Sequence, residues 1–404
     1  MGYQAKSTAR GFTLVEMMVS LALGLLIVGA AVKLFSQGVD ATWVVSQRAE
    51  MQQDLRATEN LLVKDLSLAG AGLTGIPGET VALPSALGSP IYGCDQSGTA
   101  AGCPPNGGVQ YPCIPTGACT PSLYPIMPGF QAGIKPPGST TKSDLITVVY
   151  SDNNLALNCY SVTFNGTGNI LTFTAPANPP PTSCILPPGL AYPQALNNTA
   201  NGLQAGDVIL VNNQVGTNSA YAVGEVTLVA GPIGPPAPGV QYVITFADGD
   251  ALKLNQSGQP NDLTALKAGV GTVANRIFVV TYYLRNVPDP TGVTTGTTIL
   301  YRQVNGLTAV PVADNMANLQ FTYDTYDDAG NLLNAAGDAG ESVGTSPNLI
   351  RKVNLIHLTM HSQLAGTRSV LMATSGFQSV DMQTSISARN ASYKNRYGFT
   401  PPSP

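Results

Sequence analysis

The sequence predicts an α+β protein. One long N-terminal helix, membrane-spanning in its first half and amphipathic in its second, packs on an antiparallel β-sheet head with large Gly/Pro-rich, disulfide-pinned insertions. Three observations predict it. Residues 12–32 carry one charge, Glu16, in an otherwise apolar run. Residues 39–69 contain no proline or glycine and repeat apolar residues on one helical face. From about residue 143 onward, short β-branched and aromatic runs alternate with turn residues.

The apolar run comes first in the chain. Its 21 residues, at about 1.5 Å each, match the roughly 30 Å of a bilayer core. Lys6 and Arg10 precede it and hold the N-terminus in the cytoplasm, so that the chain beyond Lys33 is exported. An ordinary signal peptide would place its small-residue cleavage site after the apolar run. A plain anchor leaves Glu16 unexplained, because a carboxylate in hydrocarbon costs about 2.5–3.5 kcal/mol even on lenient scales. No basic side chain lies between residues 12 and 32 to pair with it.

The segment Arg10-Gly11-Phe12-Thr13-Leu14-Val15-Glu16, with its apolar tail, resembles the processing site of type IV prepilins and of type II secretion pseudopilins. The resemblance implies a leader of residues 1–11 and cleavage after Gly11 by a membrane prepilin peptidase. Phe12 becomes the N-methylated first residue. Glu16, then the fifth residue, pairs with the terminal amine of a neighbouring subunit and so gains the partner it lacks.

The helix is expected to run over residues 12–69. Its first half, 12–38, spans the membrane or forms the filament core. Gly24 and Gly29 weaken that half. In its second half, 39–70, Val44, Met51, Leu55, Leu62, Leu66 and Ala69 form a stripe to face the head. Arg48, Glu50, Asp54, Arg56, Glu59 and Lys64 occupy the other side, and Gly70-Ala71-Gly72 ends the helix.

Composition supports an exported, loop-rich head. Of 404 residues only 10% are charged, while glycine (43) and proline (31) are abundant. Net charge is −4; loss of residues 1–11 removes two basic side chains and makes it −6. Such a chain has no electrostatic footprint for nucleic acid. The six cysteines, Cys94, Cys103, Cys113, Cys119, Cys159 and Cys184, are an even set in an exported chain and read as disulfides. Neighbouring pairs close the shortest loops, favouring Cys94–Cys103, Cys113–Cys119 and Cys159–Cys184. No CxxC pair or nearby histidine supports zinc.

Residues 71–142 read as an irregular, disulfide-pinned region and residues 143–271 as a β-rich insertion. The insertion has expected strands at 145–150, 155–164, 207–211, 222–230 and 241–246. Further strands are expected at 275–285, 298–304, 318–326, 351–362 and 377–388, with a tail over 391–404. The second group carries Leu300-Tyr301-Arg302, Asn318-Leu319-Gln320-Phe321-Thr322-Tyr323 and Ser387-Ala388-Arg389-Asn390. In that order it resembles the C-terminal sheet, residues 272–390, of PilW-type minor pilins and J-type minor pseudopilins.

No nucleophile, acid/base or phosphate-loop constellation is evident, so no enzyme activity and no cofactor are expected. His357 and His361 share a strand face without a carboxylate or cysteine in the motif and read as structural. Asp324, Asp327, Asp328 and Asn331 form an acidic loop, a weak calcium candidate set against an ordinary solvated turn. The resemblance implies partners: other pilins in the filament, the prepilin peptidase and an inner-membrane assembly platform. It implies a single-pass inner-membrane protein that moves to a pilus on the cell surface. The expected role is a minor pilin that initiates or caps a type IV pilus. The alternatives are a minor pseudopilin of type II secretion, and a pilus-tip adhesin with residues 71–271 as its ligand-binding insertion.

Overall fold

The computed structural model describes residues 11–73, 80–93, 109–111, 120–136, 139–198, 200–232, 234, 236–287, 297–327, 329–334, 337–339, 347–361 and 379–388. They divide into two compact units, one holding the described residues up to 53 and the other those from 54 onward. The protein is α+β, as the sequence predicts: helix α1 (Leu14–Ser67) precedes a series of antiparallel strands.

In the first unit α1 runs unbroken through Gly24, Gly29 and Gly38. In the second unit Leu55, Leu62, Leu66 and Ala69 of the expected stripe are fully buried. The helix stops where the glycines predict. Gly70 and Gly72 adopt φ of 76° and 72°, a left-handed geometry that costs glycine little.

The head begins with five short strands: β1 (Val81–Ala82), β2 (Ile91–Tyr92), β3 (Val109–Gln110), β4 (Ser122–Leu123) and β5 (Ile126–Gly129). Then come β6 (Leu145–Ser151), β7 (Ser161–Phe164), β8 (Ile170–Thr174), β9 (Val208–Val215), β10 (Asn218–Glu225), β11 (Leu228–Ala230) and β12 (Gln241–Thr245). The last group is β13 (Val270–Val287), β14 (Thr297–Val304), β15 (Val310–Ala313), β16 (Met316–Thr325), β17 (Asp338–Ala339), β18 (Ile350–His361) and β19 (Ser379–Ser387).

The largest sheet has the order β10-β9-β13-β14-β15, with β5 and β6 joined through β13. β13 is its spine. It pairs with β9 over 270–277, with β6 over 277–282 and with β14 over 280–287. Strands from both sides of position 271 therefore share one sheet. The chain leaving α1 is stitched to β6: the Gly70 N–H donates to the Val149 carbonyl at 2.9 Å, and the Ser151 N–H to the Ala71 carbonyl at 2.7 Å. A Cβ on Gly72 would lie 2.4 Å from the Ser151 Cβ, so only glycine permits this approach.

The alternation of β9 feeds two cores. Val208 and Leu210 join Tyr92, Tyr111, Met127 and Tyr283 on one face. Ile209 and Val211 join Phe173, Tyr242 and Leu157 on the other. That second core also covers the four-stranded sheet β11-β12-β8-β7. A third sheet, β17-β16-β18-β19, carries the acidic loop. The 71–142 region is less irregular than expected: β1 pairs with β4 and β2 with β3, and Leu83, Tyr92 and Tyr111 are core residues.

Candidate functional site

The candidate assembly segment starts with Gly11 and Phe12, which precede the first turn of α1. A new helix exposes four unpaired backbone N–H groups. Thr13 and Glu16 satisfy two reciprocally: the Glu16 N–H donates to Thr13 Oγ1 at 3.3 Å, and the Thr13 N–H to Glu16 Oε2 at 3.5 Å. This is a capping box, written in the sequence as Thr13-Leu14-Val15-Glu16. The reading of Glu16 as a bare charge in an apolar run overlooked it, although the Thr-x-x-Glu spacing was visible. Its carboxylate also lies in the first turn, where the helix dipole favours negative charge.

Among the described residues, the apolar side chains of this half of α1 are exposed. Phe12 is 79% exposed, and Leu14, Leu21, Leu25, Leu26, Ile27 and Phe35 are similarly bare. The helix is long and apolar enough to cross a membrane, and none of its most apolar window is buried. A face this apolar in an isolated subunit marks a surface that a membrane or partner must cover.

Within the second unit α1 is pinned to the head by Asp65, which is 1% exposed. Its carboxylate accepts from Tyr150 Oη at 3.1 Å, Tyr282 Oη at 2.6 Å and Arg302 Nε at 2.8 Å. Burial and then the Asp65 charge push both phenols up, keeping them neutral donors. Burial alone would lower Arg302; the hydrogen bond and charge of Asp65 overcome that and raise it. The sequence reading missed Asp65, whose partners lie on β6, β13 and β14, far along the chain.

Of the predicted disulfides, Cys159–Cys184 is present, with Cα atoms 4.6 Å apart. Cys94, Cys103, Cys113 and Cys119 lie outside the described residues, as does Asp328 of the acidic loop. The rest of that loop is engaged in separate contacts. Asp324 is buried, accepts from the Gly337 N–H at 2.7 Å and pairs with Lys352 Nζ at 3.3 Å. Asp327 takes the Asn331 N–H at 2.7 Å and its Nδ2 at 2.9 Å, bonds that hold its carboxyl below the usual range. His357 Nδ1 lies 3.2 Å from Asp381 Oδ2, while burial lowers His361. Among the described residues no three or more His, Cys, Asp or Glu side chains group as a metal site.

Residues 6–32 match the family model described as the prokaryotic N-terminal methylation motif. No characterised protein and no solved structure is significantly similar to the chain. The match covers Gly11, Phe12, Glu16 and the exposed apolar helix as far as Val32. The N-terminal segment is therefore of the prepilin type found in structural subunits of type IV pili and type II secretion pseudopili, which are processed by a prepilin peptidase and assemble with other pilins.

Proposed function

We propose that the chain is a structural minor pilin of the PilW type, which helps initiate or cap a type IV pilus. The observation that carries this reading is the unpacked apolar half of α1, directly behind a prepilin-type motif and joined to an elaborate β head. Before assembly the apolar half spans the inner membrane with residues 1–11 in the cytoplasm. The prepilin peptidase cuts between Gly11 and Phe12, and Phe12 is methylated. The assembly platform then moves the subunit into a filament, where apolar helices of other pilins replace lipid. Glu16 meets the Phe12 amine of a neighbour, and the buried pair is favourable because each charge has its partner.

The test is mass spectrometry of the mature chain from sheared surface filaments. The reading expects a methylated Phe12 N-terminus in the filament fraction. A chain that begins at Met1, or that stays wholly in the membrane fraction, contradicts it. The resemblance of residues 272–390 to J-type subunits favours a second reading, a minor pseudopilin of type II secretion. Deleting the gene separates the two: loss of pili supports the first, and loss of protein secretion with pili intact supports the second.

A further inference from the structure

A groove of about 520 Å³ opens on the head between the β7–β8 turn and residues 257–267. Both walls are braced. In the turn, Asn165 Oδ1 accepts the N–H groups of Gly168 and Ile170 at 2.8 and 3.2 Å, and its Nδ2 reaches Thr167 Oγ1 at 2.7 Å. In the opposite wall, Asp262 accepts from the Gln256 N–H at 3.0 Å and from Thr264 Oγ1 at 2.7 Å, and Thr264 Oγ1 accepts the Gly258 N–H at 2.9 Å. The walls touch at Gly168, where a Cβ would come within 2.9 Å of the Thr264 Cα. The groove is thus formed before any ligand arrives.

Its lining limits what could enter. The Thr167 hydroxyl donates to Asn169 Oδ1, which leaves the Asn169 Nδ2 group, the Gln259 amide and the Lys267 ammonium group to meet a ligand. No carboxylate lines it. The nearby Asp248 is occupied by the N–H and hydroxyl of Ser257 at 2.9 and 2.8 Å, and Asp262 by the bonds above. Among the described residues no carboxylate forms an ion pair with Lys267. Lys267 is the one charged side chain in the lining itself, and a flat aromatic ligand finds no ring to stack on. The volume is that of an ordinary small-molecule site, roughly 300–1,000 Å³, and wider than a bare inorganic anion requires. Several neutral donors and acceptors beside one positive charge suit a ligand with many hydroxyls and one negative charge.

We propose that this groove binds a carboxylated monosaccharide unit. The Lys267 ammonium meets the sugar carboxylate, and the Asn169 Nδ2 group and the Gln259 amide hydrogen-bond its ring hydroxyls. This function is separate from assembly and holds whether the subunit sits in a pilus or a pseudopilus.

The test uses the full chain in detergent micelles, titrated by ligand-observed NMR with D-glucuronate, N-acetylneuraminate, D-glucose and inorganic phosphate. At least one acid sugar should bind about tenfold or more tightly than glucose and phosphate, as expected of one charge-assisted hydrogen bond. The acid sugar that binds identifies the source: a hexuronate polymer or a sialylated glycan. Lys267→Gln should reduce its affinity to that of glucose with the unfolding midpoint unchanged, since Lys267 is exposed. Gln259→Ala should weaken the acid sugar and glucose together. Phosphate binding as well as the acid sugars would make this a simple anion site and overturn the proposal. Glucose binding equally well, no binding at all, or full affinity in Lys267→Gln would overturn it too.

Discussion

Glu16 has two separable roles, and two substitutions tell them apart. Glu16→Gln keeps an oxygen for the Thr13 N–H and so keeps the capping box, but removes the charge. Glu16→Val removes both and makes the segment more apolar. Neither should reduce the inner-membrane level. If charge pairing drives assembly, both should fall several-fold in sheared filaments relative to wild type; wild-type amounts of Glu16→Gln would show that capping alone suffices. A second residue-scale device is the buried pair Glu225 and Asp250. Asp250 accepts the N–H groups of Leu254 at 2.7 Å and Asn255 at 2.9 Å, and Glu225 that of Leu252 at 2.8 Å. Burial, then the bond to Asp250 and its charge, push Glu225 up to about 9, so it is neutral and donates to its neighbour. Tyr111, buried nearby, feels both carboxyls. The folded head binds a proton that the unfolded chain releases near the ordinary Glu value of 4.5. Its stabilising effect is complete below about pH 4.5 and is lost as pH rises through about 9. Urea midpoints measured from pH 5 to 9 should therefore fall for wild type and fall less steeply for Glu225→Gln. Parallel slopes would disprove the shared proton. Asp144 and Asp207, raised by burial, leave a common residual slope.

Two contacts join parts of the head that lie far apart in sequence, the Asp65 cluster and the Cys159–Cys184 bridge. Asp65→Ala leaves Arg302 and two buried phenols without their acceptor. Breaking a buried pair costs about 3–5 kcal/mol, and the partly exposed Arg302 places the loss at the lower end, readable as a lower urea midpoint. Asp65→Asn should lose less, because an amide oxygen still accepts from a phenol. The Cys159–Cys184 bridge closes a 25-residue separation. Its removal by Cys184→Ser should cost about 3.5 kcal/mol on the chain-entropy estimate; an unchanged midpoint would mean that β7 and β8 hold the loop unaided. These elements also show what was legible in the sequence. The bounds of α1 lay within two residues of expectation, because its period and its Gly70-Ala71-Gly72 stop are local. Strands such as β6 and β14 were legible from β-branched runs. The pairing of β1 with β4 was not, since Val81 meets Leu123 only through the fold. Nor was β8, which falls outside every expected strand, nor the reach of β13 back to Val270 across the boundary drawn at 271. Asp65 was hidden for the same reason: an acid inside a buried stripe is explained only by partners 85, 217 and 237 positions away.

At the scale of the molecule, the chain combines two halves that need different solvents. The apolar part of α1 belongs to the unit whose described residues end at 53, and its side chains are exposed. Both cores, the Asp65 anchor and the Cys159–Cys184 bridge belong to the unit that begins at 54. A chain starting at Val39 keeps all of them and discards the most apolar segment. It also keeps Met51 and the amphipathic turns that precede Asp54. Such a truncation, secreted to an oxidising compartment so that the bridge forms, should be monomeric without detergent. Its unfolding midpoint should match that of the head in the full chain in micelles, because no stabilising contact identified in the head reaches back beyond residue 39. The full chain should require detergent or lipid, and its loss of solubility should track residues 12–38 alone. Size-exclusion chromatography with light scattering, paired with thermal unfolding of both chains, makes the comparison. A truncated chain that aggregates, or that melts well below the full chain, would show that the apolar half of α1 also supports the fold of the head. In that case mutations in the filament core would alter head stability as well as assembly.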